Sequence, residues 1–439
     1  MPRQSVSFSK PNDEWLKAHI DNEEYSSKSE LDNDLIRQAQ TSLFMMHIVI
    51  APDSFKECLT ATQVALAISQ GIKRVVPEAE ITCIPIADGG EGTVEALVSA
   101  TGGTIITTPS VDALNRPIQS FYGILGDGKT AIIEMAAASG IELLAPHERN
   151  PLITSTFGTG LLMKAALDAG FTQLIVGIGG SATNDGGAGM AQALGFGLFD
   201  YHGLSLKPGG GSLGDLHSID CSNVHPLLRK AKITVASDVR NPLLGPTGST
   251  YVYGPQKGAT PEMLATLEKN MAWFSHILQQ ELGVTLSELP GAGAAGGLGA
   301  GLMAFCNAEM GSGFELVSQL THLEKYIGEA SLVFTAEGKI DSQTAFGKTA
   351  SGVAGLAKKY QIPVIALAGT VAGGLSELYE QGITAVFAIG NQPMSLEASK
   401  AHASELLANT AEQIMRTMIG VKNFSNAIMP ITNPPGRIV

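Results

Sequence analysis

Short, continuously apolar runs recur along this chain, and each ends in a loop that sets an acid among glycines or prolines. HIVIAP leads to Asp53, ITCIPIA to Asp88, LIVGIGG to Asp185, KITVAS to Asp238 and LVFTA to Glu337. Between the runs lie helical patterns. In TATQVALAISQGIKRVV, for example, Val64, Ala67, Ile68, Gly71, Ile72 and Val75 fall on one face. Strands that are apolar on both faces and separated by helices form parallel sheets covered by helices. The loops at the carboxyl ends of such strands are where ligands bind. The expected class is therefore α/β, with five acids presented at strand ends.

The chain has 439 residues, enough for two or three domains, and 44% of them are hydrophobic. The net charge of −13 and an aromatic content of 6% argue against a nucleic-acid partner, which would require clustered cations and stacking rings. Four widely spaced cysteines (Cys58, Cys83, Cys221 and Cys306) include no C-x-x-C pair and read as reduced thiols. No apolar run reaches the roughly 18 residues of a membrane span, and the first forty residues show no signal-peptide core. A soluble cytoplasmic protein is expected. Residues 1–45 read as a polar, disordered extension, and residues 421–439 as a tail.

Fifty-one glycines exceed the ordinary share of about 7%, and they cluster in motifs. GIGGSATNDGGAGM is a poor dinucleotide fingerprint because NDGGAG interrupts the helix that should follow. It reads better as a loop whose amides at Gly179, Gly180 and Ser181 hold an anion while Asn184 and Asp185 face substrate or metal. PGAGAAGGLGAG offers a second nest of amides at Gly293, Gly296 and Gly297. In EGKIDSQTAFGKT the Walker spacing fails, yet Lys348 could meet a phosphate. Glu337 and Asp341 could share a metal if the segment turns helically. APDSFK places Asp53, Ser54 and Lys56 at an expected helix start. A lysine is unfavourable there unless an anion neutralises it. Arg240 and Arg116 are candidate carboxylate clamps, with a surface ion pair the better reading for Arg116. No histidines pair at metal spacing and no nucleophile elbow appears, leaving acids, lysines and glycine amides, the inventory of phosphoryl transfer.

These blocks, together with ASDVRNPLLGPTG and YGPQKGA, resemble in order the signatures of the bacterial glycerate kinase type I family from about His47 to Ile419. Ala336 and Ala350 depart from the pattern, standing where glycine and proline are expected. The resemblance implies ATP-dependent phosphorylation of D-glycerate with Mg²⁺, 2-phosphoglycerate being favoured over 3-phosphoglycerate. It also implies two α/β domains with largely parallel sheets and the active site in the cleft between them. The flavodoxin-like domain would comprise 46–85 and 290–420, with 86–289 inserted into it. A homodimer is left open.

Residue roles follow from chemistry alone. Lys56 and Arg240 would hold anionic oxygens, and Asp185 or Asp238 would accept the hydroxyl proton. Asp53, Ser54 and Asn184 would contact substrate, whereas Asp88, Glu337 and Asp341 would serve the metal. The alternatives are an NAD(P)-dependent hydroxyacid reductase and a non-catalytic binder of a small anion.

Overall fold

The computed structural model describes residues 46–55, 58–86, 89–345 and 349–428. The arm at 1–45 and three candidate site residues, Lys56, Asp88 and Lys348, lie outside them.

In chain order the described strands are β1 (His47–Ile50), β2 (Glu80–Cys83), β3 (Thr104–Val111), β4 (Pro117–Ile124), β5 (Thr130–Glu134) and β6 (Gln173–Gly177). There follow β7 (Gly197–Asp200), β8 (Leu216–Asp220), β9 (Lys232–Ala236), β10 (Glu309–Gly311), β11 (Leu332–Ile340), β12 (Val364–Val371) and β13 (Ile383–Ala388). The first sheet runs β13-β12-β11-β1-β2, all parallel. Counted within that sheet, the order is 2-1-3-4-5, the flavodoxin-like order, and it reverses between β1 and β11. The second sheet, β10-β9-β6-β5-β4-β3, is built from the sequence between β2 and β11. β7 and β8 form a separate antiparallel pair.

Three features differ from the sequence reading. β3, β4 and β5 pair antiparallel. Their Thr-rich, half-exposed edge lacks the continuous apolar run that marks the parallel strands. β10 pairs with β9, so the stretch from 290 to 311 feeds the second sheet and not the first. The last helix runs Ala403–Ile428, past the expected start of the tail.

The first sheet is covered on one face by helices Ala61–Lys73 and Ala403–Ile428, which enclose Ile68, Ile72, Leu407 and Met415. Each fully buried aliphatic chain of this kind contributes roughly 1.5–3 kcal/mol. Gly71 lets the two helices approach, since a Cβ there would lie 2.0 Å from the Ala408 carbonyl oxygen. The helix begins at Ala61 because Thr60 caps it reciprocally with Gln63, so the APDSFK stretch lies ahead of the helix start expected there. On the opposite face one continuous core joins Val49, Val333 and Ala366 of the first sheet to Ile132, Ile175 and Ala236 of the second. That shared core brings the carboxyl ends of both sheets to a common cleft.

Candidate active site

The strand-order reversal between β1 and β11 splays the outgoing loops apart, and a ligand crevice forms at such a point. A cavity of about 410 Å³ opens there, lined by Asp53 and Ser54 after β1, Glu337 on β11 and Asp238 after β9. Carboxylates from two different sheets therefore meet across one space. Asp53 is held from two sides: Oδ1 accepts from the Ser54 amide at 2.6 Å and Oδ2 from the hydroxyl of Thr349, at the start of helix Thr349–Lys359, at 3.1 Å. Glu337 is buried and accepts from the Ala350 amide at 3.1 Å. The proline that the resemblance leads one to expect at this position has no N–H to give, so alanine here supplies a bond that proline would not. Asp238 is exposed, with Oδ1 accepting from the Ser312 hydroxyl and the Gly313 amide. It also lines a neighbouring cavity of about 640 Å³, which it shares with Arg240.

The other candidates are placed differently. Asp185 is wholly buried, and its two oxygens accept from the amides of Thr156, Gly187 and Gly189 and from the Thr156 hydroxyl. Burial still pushes its carboxyl above the usual range. It anchors its own glycine loop and does not face the cleft. Asn184 is buried as well, its amide donating to Thr250 at 3.3 Å.

Of the expected phosphate amides, those of Gly179 and Gly293 are spent within the chain. The Gly179 amide donates to Gly89 O, and a Cβ at Gly179 would lie 2.5 Å from Gly90 Cα. Gly180 remains exposed, whereas the Ser181 hydroxyl is taken by Lys257. The Gly293 amide donates to Asn241 O, and Gly296 O accepts from the Gly186 amide. Gly296, at φ +70°, passes so close that a Cβ would lie 1.9 Å from Thr183 O. The glycines thus allow backbone to approach backbone, knitting the Asp185 loop to the stretch at 293–301.

Asp341 also departs from expectation. The segment from 337 to 340 is strand, so Glu337 and Asp341 stand about 13 Å apart along it, too far for one ion. Asp341 pairs with Lys339 at 2.9 Å. Arg116 makes its surface ion pairs with Asp112 and Glu148.

Two residues escaped the sequence reading. Lys257 is buried, with Nζ donating to Ser181 Oγ at 2.5 Å and to Thr183 O at 2.7 Å. Burial drives its pKa down to about 7, against the pull of Asp185. Glu134, at the end of β5, accepts from the Val94 amide at 3.2 Å and so holds the loop after β2, and burial raises it to about 7. Neither sits in a glycine motif. YGPQKGA marks Lys257 only as part of a block.

Among the described residues no three His, Cys, Asp or Glu side chains gather closely enough to cage a metal. Hard oxygen donors at Asp53, Glu337 and Asp238 nonetheless fit Mg²⁺, which takes one or two carboxylates and completes its shell with phosphate and water.

Residues 48–419 match the profile of the glycerate kinase family. The chain belongs to that family. It is 51% identical over 369 residues to a glycerate kinase of Bacillus subtilis, covering 84% of this chain and 97% of the relative. It is 46% identical to the glycerate 2-kinase of Escherichia coli, covering 86% and 100%. A crystal structure from Salmonella typhimurium LT2, assigned as a glycerate kinase 2, superposes with a TM-score of 0.76 at 47% identity, covering 86% of this chain and all of that one. In this member of the glycerate kinase family, no helix among the described residues is long and apolar enough to cross a membrane.

Proposed function

We propose that the chain transfers the γ-phosphoryl group of ATP to D-glycerate, giving 2-phosphoglycerate, in the cleft between its two sheets and in the cytoplasm. The observation that carries this reading is the meeting of Asp53 and Glu337 from the first sheet with Asp238 from the second around one cavity. Phosphoryl transfer needs positioning and charge neutralisation more than covalent help from the protein, and opposed carboxylates in a cavity that Lys339 and Lys400 also line provide for both. The name of the Escherichia coli relative supports the 2-position.

Asp238 is the group to accept the substrate hydroxyl proton as the oxygen bonds to phosphorus and ADP leaves. It is exposed and borders both cavities, with Arg240 beside it to hold the glycerate carboxylate. Asp53 and Glu337 would hold Mg²⁺, which when bound neutralises charge on the phosphates. The sheet memberships favour domain limits near 85 and 312, moving the second boundary from 290. The four free cysteines suit a reducing compartment.

The test is ADP release with D-glycerate, ATP and Mg²⁺, the product being read by phosphorus NMR. A 2-phosphoglycerate signal is expected. A 3-phosphoglycerate signal would move the reaction to the other hydroxyl, and a folded sample without turnover would overturn the reading.

A further inference from the structure

The two faces of the first sheet present different chemistry where its strands end. Along β11, Phe334 and Ala336 point to the core under helices Ala61–Lys73 and Ala403–Ile428, while Val333 points toward the second sheet. Alternation then puts Gly338 on the first face and Glu337 and Lys339 on the second. Along β12, Leu367 lies on the helix face and Ala368 on the other, so Gly369 follows Leu367 and Thr370 follows Ala368. The contacts agree, because a Cβ at Gly369 would lie 3.7 Å from the Phe55 ring and 2.8 Å from Gly338 O. One side of the cavity therefore has a floor of bare glycine backbone, while the other carries an acid, an ammonium and a hydroxyl.

The walls divide in the same way. Phe55 and Ile389 belong to the helix-face core, and Ala403 is buried beside them. Leu396, the first residue of helix Leu396–Ala401, stands at the rim with 69% of its surface exposed. The Cys58 thiol donates to Lys400 O at 3.3 Å, tying the loop after β1 to this helix.

We propose that the slot over Gly338 and Gly369, walled by Phe55, Ile389, Leu396 and Ala403, takes the purine base of the nucleotide. The phosphates then cross the strand ends to the Lys339 and Thr370 side, toward Glu337 and Asp238. This rests on the kinase reading above. A flat apolar ring suits a slot with no side chain on its floor, and it would cover the exposed Leu396. The polar face is the one that meets the second sheet, so the transferable phosphate arrives where Asp238 lies.

Leu396→Asp tests the assignment on the full chain, since an exposed rim position tolerates the change in folding. Titration with ADP and Mg²⁺ needs no turnover. The variant should bind ADP at least about tenfold more weakly than wild type, with Leu396→Met restoring affinity and the KM for D-glycerate unmoved. Weakened ADP binding in a protein that does not phosphorylate D-glycerate would keep the base slot and remove the kinase reading. Normal turnover with wild-type ADP affinity in Leu396→Asp would overturn the slot and leave the kinase reading standing.

Discussion

Asp185 and Asp238 follow neighbouring parallel strands of one sheet, β6 and β9, and the chain uses them in opposite ways. Around Asp185 everything is enclosed: four donors meet its oxygens, Lys257 is buried nearby, and glycines bring two loops into backbone contact. Around Asp238 the surface opens into two cavities. The same motif, an acid in a glycine loop after an apolar strand, thus builds the scaffold in one place and the working surface in the other. What separates them is burial, since Asp185 is wholly enclosed by its donors whereas Asp238 is exposed to a cleft.

The largest effect should distinguish two acids of the EGKID segment. Glu337→Gln is expected to lower kcat/KM by about a hundredfold or more, since it lines the cavity. Asp341→Asn, outside the cavity and paired with an exposed lysine, should cost less than a few-fold. Steady-state assays of both variants decide this, and equal losses would restore Asp341 to the site.

Next comes the scaffold. Gly296→Ala forces a Cβ against Thr183 O at positive φ and should cost about 3 kcal/mol in urea unfolding. Gly355→Ala, in the exposed part of helix Thr349–Lys359 with open space around it, should gain about 0.5–1 kcal/mol. Similar values at both sites would contradict the enclosed-loop picture.

Lys257 provides a subtler contrast. Its folded pKa, about 7, lies below the unfolded value, so the unfolded chain binds more protons between about 7 and 10.5, and stability should rise with pH across that window. Melting temperatures at pH 7 and 9.5 should show this rise in wild type and its loss in Lys257→Met. Parallel shifts in the two proteins would mean that Lys257 does not change its protonation on folding.

Much of this was legible in the sequence, and the failures share a cause. The parallel strands read as apolar runs, and the strand-end rule marks Asp53, Asp238 and Glu337, which the fold gathers around one cavity. The rule could not tell a loop that faces a cleft from one packed on another loop, because GIGGSATNDGG and PGAGAAGGLG need glycine equally for phosphate and for each other. Lys257 was invisible for the complementary reason, since a lysine reads as solvated until its burial is seen. Glu337 and Asp341 were paired on an assumed helical turn, which the ladder of β11 with β12 replaces by extended chain.

Turnover and melting temperature measured together on Asp238→Asn and Asp185→Asn test the central contrast most directly. Asp238→Asn should lose about a hundredfold or more in kcat with its melting temperature unchanged. Asp185→Asn must turn an amide NH₂ toward backbone donors, and should melt roughly 5 °C or more lower while its folded fraction retains most of its activity. An Asp185→Asn protein that melts like wild type but is inactive, beside an active Asp238→Asn, would exchange the roles of the two loops and contradict the site described above.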